Sequence, residues 1–388
     1  MSLNLVRMRN AAVAAKIETT PGLDAIAGSP AAADFLAADI EVDFDPVVVE
    51  NPELTGTLDR APSIVGGLRP RLRLRIPLRG SGIAATAPEW GKLMRCCTYS
   101  ETVQAAPVGA PTVAVAGTTT TVTASALFGM IPNQYRGLPL AVSGDQSFIT
   151  GIIGYTAGRV ISFGEARSSA LTLSSLLQIP VNVLYAPTSD ESVYKSATVY
   201  FYADGFNWRF GGCQGTWSLE LTTGGIGYLT FELRGQMLAM TGAGVPTGWN
   251  TAIRPTAPRF VNGRAQLNYA TSRCRRIMFD AGVEVTQPDN PEAVEGYDPA
   301  VPIARDSKGS IDPLMDTSLG TSLYDNFRAG TPMPLIAIIG STAGNRFLVT
   351  APAAKATGLR PGARDGSGQH DIAFQLDGAD SVLFLTAF

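Results

Sequence analysis

Apolar and polar positions alternate along much of this chain with the two-residue period of strands. In IEVDFDPVVVE, residues 40–50, Glu41, Asp43 and Asp45 share one face while Ile40, Val42 and Phe44 share the other. In RPRLRLRIPLRG, residues 69–80, the sign is reversed: Arg69, Arg71, Arg73 and Arg75 oppose Leu72, Leu74 and Ile76. Paired antiparallel, the acidic row faces the basic row, and each exposed pair adds about 0.2–1 kcal/mol, so the charges set register more than stability. Such a face has three uses: a solvated surface with balanced charge, a wall shared with other subunits, or an arginine ribbon on nucleic acid. The acidic neighbour strand weakens the last.

Between these strands and the rest comes TAPEWGKLMRCC, residues 86–97, with a different period. Thr86 and Glu89 have capping-box spacing, Pro88 suits a first turn, and Trp90, Leu93, Met94 and Cys97 recur on one helical face. A short helix lying on a sheet is expected, with those four residues in the core. From 103 to 180 the chain turns to short, nearly uncharged strands broken by glycine, which reads as a small β module inserted into a larger one, its ends close together. The host then resumes as a meander, in which YADGFN, residues 202–207, is a hairpin turn between aromatic and β-branched strands.

The chain also repeats itself. LTFELRG at 229–235 returns as IAFQLDG at 372–378, matching Phe231 to Phe374, Leu233 to Leu376 and Gly235 to Gly378. Around the second copy the order recurs: the strand RRIMFDAGVEVTQ, a polar loop, IARDSKGSID, a short helix LYDNFRA capped by Ser322 and Asp325 and ended by Gly330, then a hairpin with STAGN in place of YADGFN. This is a divergent internal duplication. The expected fold is mainly β: an extended arm at 1–38, a discontinuous first domain at 39–102 and 181–245, the inserted β domain at 103–180, and a second domain at 256–388, each large domain a β-sandwich with a short flanking helix.

Composition agrees and narrows the chemistry. The 388 residues include 41 Gly, 26 Pro and only 16% charged residues, a strand-and-turn mixture. Cys96, Cys97, Cys213 and Cys274 have neither framework nor CxxC spacing, which points to a reducing compartment. No signal peptide is read at the start, and the apolar run PLIAIIG at 334–340 is too short to cross a bilayer. The net charge of −3 disfavours tight clamping of phosphate backbones. A single histidine, His370, excludes multi-histidine metal sites and reads as a strand-end residue. The acidic stretch PDNPEAVEGYDP does not follow a calcium-loop pattern, and GARDGSG lacks the Gly-Lys-Ser/Thr ending of a phosphate loop. No catalytic, cofactor or metal residues are assigned, and no enzyme activity is expected.

AKIETTPGLDA, IEVDFDP, RLRLRIPLRGSG, TAPEWGKLMRCC and SATVYFYADGFNWRFGGCQGTWSLELTTGGIGYLTFELRGQ together resemble the major tail tube protein of long-tailed bacteriophages, over about residues 12–100 and 181–240. The resemblance implies β-sandwiches whose sheets join around a lumen through which the genome travels, in a ring with six-fold symmetry and normally one tube domain per chain. Its implied partners are other copies of the chain, a tape measure protein and DNA passing through the lumen, and tail terminator and baseplate proteins, with no membrane, in a virion assembled in the host cytoplasm. A duplicated domain makes a pseudo-six-fold trimer the expected ring. The insertion then decorates the outside, the arm and the loops at 51–68 and 287–310 bridge rings, and Glu41, Asp43, Asp45, Arg71, Arg73 and Arg75 lie on the lumenal sheet or at subunit seams. Rival readings are a tail terminator or baseplate ring, a carbohydrate-binding β-sandwich, and a carbohydrate-active enzyme.

Overall fold

The computed structural model describes residues 6–247, 249 and 254–388. Strand accounts for 49% of the chain and helix for 6%. Seventeen strands join in one large sheet system, and the alternation noted above sets their pairing.

The first unit contains β1 (Ala11–Ile17), β2 (Asp39–Asp43), the hairpin β3 (Pro46–Val49) and β4 (Ile64–Leu68), β5 (Arg71–Pro77), α1 (Gly91–Met94), β6 (Tyr99–Gln104), β7 (Asn182–Pro187), β8 (Ala197–Ala203), β9 (Gly205–Thr222) and β10 (Tyr228–Ala243). Its strands pair in the order β2-β5-β10-β9-β8-β1, antiparallel throughout. The β8–β9 turn needs two residues at positive φ, and Asp204 and Gly205 supply them at 32° and 108°. Residues 11–17, expected in an arm with little core of its own, instead form β1 against β8 with Val13, Ala14 and Ala15 buried. Its small side chains are buried on both faces of the sheet that it extends. Residues 1–5 of the expected arm lie outside the described residues.

The second unit contains β11 (Arg264–Leu267), β12 (Cys274–Asp280), the hairpin β13 (Val283–Thr286) and β14 (Val301–Arg305), β15 (Lys308–Pro313), α2 (Thr317–Ala329), β16 (Met333–Ile339), β17 (Phe347–Arg364), β18 (Ser367–Leu376) and β19 (Phe384–Ala387). They pair in the order β12-β15-β18-β17-β16-β11. Strand for strand this is the order of the first unit. The expected match is thus embodied in β10 and β18. β10 does not stop at Gly235, however: it runs on to Ala243, and the ladder opposite shifts register between Gly211 and Gln214. A Cβ on Gly235 would lie 2.6 Å from Cys213 Sγ, so the glycine permits close approach at a bend and does not end the strand.

One continuous apolar core serves both units. Leu72, Leu74, Ile76, Trp217, Phe231, Phe279, Ile311 and Phe374 contribute to it from the two repeats. Trp90, Leu93, Met94 and Cys97 are buried there as expected. The capping box is not formed: α1 is a single turn that begins only after Trp90, an N-cap without a side-chain cap, and Glu89 pairs instead with Arg79 and Arg254. α2 begins at Thr317, earlier than the Ser322 cap expected, and ends before Gly330 at φ 65°.

The inserted segment makes its own seven-stranded sheet, from 108–113 to 176–179, around Phe128, Tyr135, Ile152, Phe163 and Leu177. Gln104 and Asn182, which flank it, are opposite each other in the β6–β7 ladder. Its core extends to Leu184 of β7 and Phe384 of β19, and Glu165 accepts Arg264 Nη1 at 2.7 Å, so it is seated on the host.

Candidate assembly interface

The two units are joined by strand addition. The C-terminal part of β9, vacated by β8, pairs with β12: Ser218 with Asp280, Leu219 with Phe279, Glu220 with Met278, Leu221 with Ile277 and Thr222 with Arg276. Flanking bonds from Ala281 N to Trp217 O (2.9 Å) and from Thr223 N to Arg275 O (2.8 Å) phase the ladder, so Trp217, Leu219, Leu221 and Thr223 turn their backbone groups to β12. The first unit's sheet therefore continues into the second without a break.

Rungs run straight across that seam. Asp39, Arg75, Thr230, Ser218, Asp280, Lys308, Gln375 and Lys355 are successive partners on eight strands. Adjacent rungs, such as Ile40, Leu74, Phe231 and Trp217, face the core. One face of the sheet is consequently apolar and covered, the other polar and exposed.

The six charges singled out in the sequence all belong to the exposed side. The acidic and basic strands pair as expected, Glu41 with Arg73 and Asp43 with Arg71. Arg71 Nη2 reaches Asp45 at 2.9 Å, and Arg73 lies between Glu41 (3.4 Å) and Glu232 (3.6 Å). Arg75 instead stacks over the Tyr228 ring at 3.9 Å. Asp43 accepts the N–H of Asp45 at 3.3 Å. The paired side chains are 41–72% exposed, so the pairs contribute at most about 1 kcal/mol each. Charge on this face is alternating and close to balanced, which gives a passing polyanion no continuous basic track.

Two of the sheet's open edges lie where they correspond to the strands of the seam. β2 pairs only with β5, and the bond from Arg69 N to Asp45 O (3.3 Å) shows that Asp39, Glu41 and Asp43 face β5, which leaves the backbone groups of Ile40 and Val42 pointing outward. β17 loses β16 after Ala354, so from Thr357 onward it pairs only with β18. These are the counterparts of the two edges already joined inside the chain, β12 and the end of β9. Matching rungs sets Leu219 against Leu359 and Glu220 against Arg360, and sets Phe279 against Ile40 and Met278 against Asp39.

Several ties were not legible in the sequence, because each depends on a partner far along the chain. Glu18 is buried and accepts hydrogen bonds from Gly22 N, Ser196 Oγ, Thr198 Oγ1 and Gly212 N. Glu89, with Arg79 on one oxygen at 3.1 Å and Arg254 on the other at 2.6 Å, fastens the start of the second unit to the first. Arg305 Nη2 reaches Asp380 at 2.7 Å. Lys92 donates to the carbonyls of Ala15, Ala33 and Asp34, and burial lowers its pKa to about 8.

Burial holds the thiols of Cys96, Cys97 and Cys213 well above their ordinary pKa and Cys274 at about 12, and all four are free. Among the described residues no group of three or more His, Cys, Asp and Glu side chains is placed to hold a metal ion. Within PDNPEAVEGYDP, Glu295 accepts the N–H of Leu68 and Asp298 accepts Asn290 Nδ2, so those carboxylates are structural. His370 lies within β18, opposite Pro361. Among the described residues no helix is long and apolar enough to cross a membrane.

A sheet continued by strand addition, with the same two edges left open at its ends, is the construction of a subunit that adds to itself. No curated protein matches the chain. A family model described as phage tail tube protein matches residues 8–376, nearly the whole length, and the chain belongs to that family.

Proposed function

We propose that this protein is a structural, non-catalytic virion component whose copies join edge to edge into rings, and that the rings stack into the tail tube through which the genome leaves. The observation that carries this reading is the β9–β12 seam: the chain already joins one unit to its repeat by strand addition, and the repeat offers the same edge again. Adding β2 of one copy to the outer edge of β17 in the next reproduces that junction. If each step turns by the same angle, a ring of six units needs three chains, a pseudo-six-fold trimer.

In this reading residues 39–102 with 181–245 are the first tube domain, 256–388 the second, and 103–180 an insert carried on the outside. The exposed, charge-balanced sheet face lines the channel, with Glu41, Asp43, Asp45, Arg71, Arg73 and Arg75 on the wall or its seams. A wall of alternating sign lets the tape measure protein and DNA pass without sequence-specific binding. Terminator and baseplate proteins meet the two ends of the tube, and assembly takes place in the host cytoplasm.

The test is a disulfide across the proposed junction. Asp39 and Arg360 occupy a position equivalent to the Met278–Glu220 pair, a non-hydrogen-bonded rung where Cα atoms approach to about 4.5 Å, within disulfide reach. Oxidised D39C/R360C protein should run on a denaturing gel as one, two and three chains and no more. A ladder reaching six chains would replace the trimer with a hexamer, and a protein that stays single would remove the junction. Electron microscopy separates the rivals: a terminator or baseplate protein stops at one ring, a tube protein polymerises.

A further inference from the structure

The hairpin β3–β4 carries an apolar cluster that the protomer leaves uncovered. Val48, Val49, Ile64 and Val65 are 53%, 51%, 60% and 64% exposed, and Leu54 and Leu58 in its loop are fully exposed. A cluster of this kind marks a surface that another body covers.

The chain shows what covers it, because it contains a second version of the hairpin in its seated state. β13–β14 leaves the strand equivalent to β2 and returns to the strand equivalent to β5. Both hairpins carry one extra residue in the returning strand, within two residues of the same place: the register shifts between Pro46 and Val48 in one and between Glu284 and Val285 in the other. β13–β14 lies across the first unit. Val283 is 5% exposed, and its N–H donates to Thr216 Oγ1 at 3.0 Å; Gln287 Nε2 donates to Gly235 O at 3.0 Å and Ala300 N to Gly212 O at 3.3 Å. Its far end reaches the base of β3–β4, where Leu68 N donates to Glu295 Oε2 at 3.1 Å and Arg69 Nη2 to Tyr297 Oη at 2.9 Å.

We propose that β3–β4 is the matching arm, and that its seat is the second unit of a neighbouring copy of this chain. The inference rests on the β2–β17 junction proposed above, since the arm leaves directly from the end of β2. Placed by the intrachain example, it crosses β17 and β18 of the neighbour, and its loop at 51–60 meets the base of the neighbour's β13–β14. That base is itself apolar and open: Val301 is 46% and Ile303 63% exposed. Leu54 and Leu58 cover Val301 and Ile303, so successive hairpins form a belt around the ring, each resting on the root of the next. The contact made by this loop is lateral, within a ring.

A photocrosslinking side chain at Leu58, which touches nothing in the protomer, reports the seat. With p-benzoylphenylalanine in place of Leu58 in the full chain, irradiation after assembly should give products of two and three chain masses. Their joined peptides should connect the loop to 299–305 of another copy, and I303D should abolish that product. Crosslinks confined within one chain, or to the exposed ends of a stacked ring, overturn the arm. The D39C/R360C disulfide keeps the two readings apart: a ladder without the crosslink rejects the arm and leaves the ring standing, whereas absence of the ladder rejects the ring and the arm with it.

Discussion

Glu220 on β9 accepts Arg276 Nε from β12 at 2.7 Å, directly above the seam where one repeat continues into the other. The pair is conspicuous but both side chains are more than a third exposed, so its contribution is at most about 1 kcal/mol. Beneath it, Leu219, Leu221, Ile277 and Phe279 are fully buried. Burial and the backbone ladder hold the seam, and the charges refine its register.

Mutation should separate the two contributions. E220A is expected to lower unfolding free energy by less than about 1 kcal/mol, whereas F279A removes a buried ring from the shared core and should cost about 3–5 kcal/mol. Denaturant unfolding measures both. A comparable loss in the two variants would show that the ion pair, and not the core beneath, governs the joint.

The junction proposed between copies carries its own charge test. Asp39 on the β2 edge and Arg360 on the β17 edge are both exposed, and the matched registers set them opposite each other. R360E should leave the monomer's melting temperature nearly unchanged while suppressing assembly, and D39R combined with R360E should restore it. Sedimentation velocity follows the effect. Loss of assembly without rescue would point to a different edge pairing. Pro361, one residue on, occupies the place of Leu221 and has no N–H to give, so the proposed junction would have one ladder bond fewer than the one inside the chain.

Much of this was legible in the sequence because it depends on neighbours at short range. The two-residue period placed Ile40, Leu72, Leu74 and Ile76 inward and their charged neighbours outward, and the complementary rows Glu41/Asp43 and Arg73/Arg71 announced their own register. The Phe231/Phe374 and Leu233/Leu376 match revealed the duplication because strands facing the same core retain the same side chains. What could not be read was set by distant partners. Glu89 has ideal capping-box spacing, yet it pairs with two arginines, one of them Arg254 from beyond the first unit, and the cap is not formed. β1 looked like a coreless arm because alanines bury easily but announce nothing. The β9–β12 seam has no sequence signature, since strand addition uses backbone groups that every residue but proline carries.

Glu18 illustrates the cost of such a distant partner. Its carboxylate takes four hydrogen bonds from residues on three separate segments and anchors the turn after β1 against β8 and β9. E18Q keeps the shape but puts an NH2 group where a donor already points, so at least one bond is lost in a buried site. A loss of about 1–3 kcal/mol is expected in chemical denaturation. E18A, which strands all four donors, should cost more than E18Q; if both are neutral, the anchor is not structural.

Lys92 makes a prediction with a sign. Its ammonium donates to three carbonyls, yet burial lowers its pKa from 10.5 to about 8, so the folded chain gives up the proton more readily than the unfolded one. Between about pH 8 and 10.5 the unfolded state therefore holds more protons at this site, and stability from Lys92 rises with pH across that window. Below pH 8 the folded protein carries the desolvation cost of a buried charge in full. K92M removes the titration together with the three hydrogen bonds, so the stability of the parent relative to K92M should increase from pH 8 to 10.5. Unfolding free energies of both proteins across that range provide the measurement; a relative stability that falls as pH rises would mean that the three carbonyls, and not burial, set the proton affinity of this lysine.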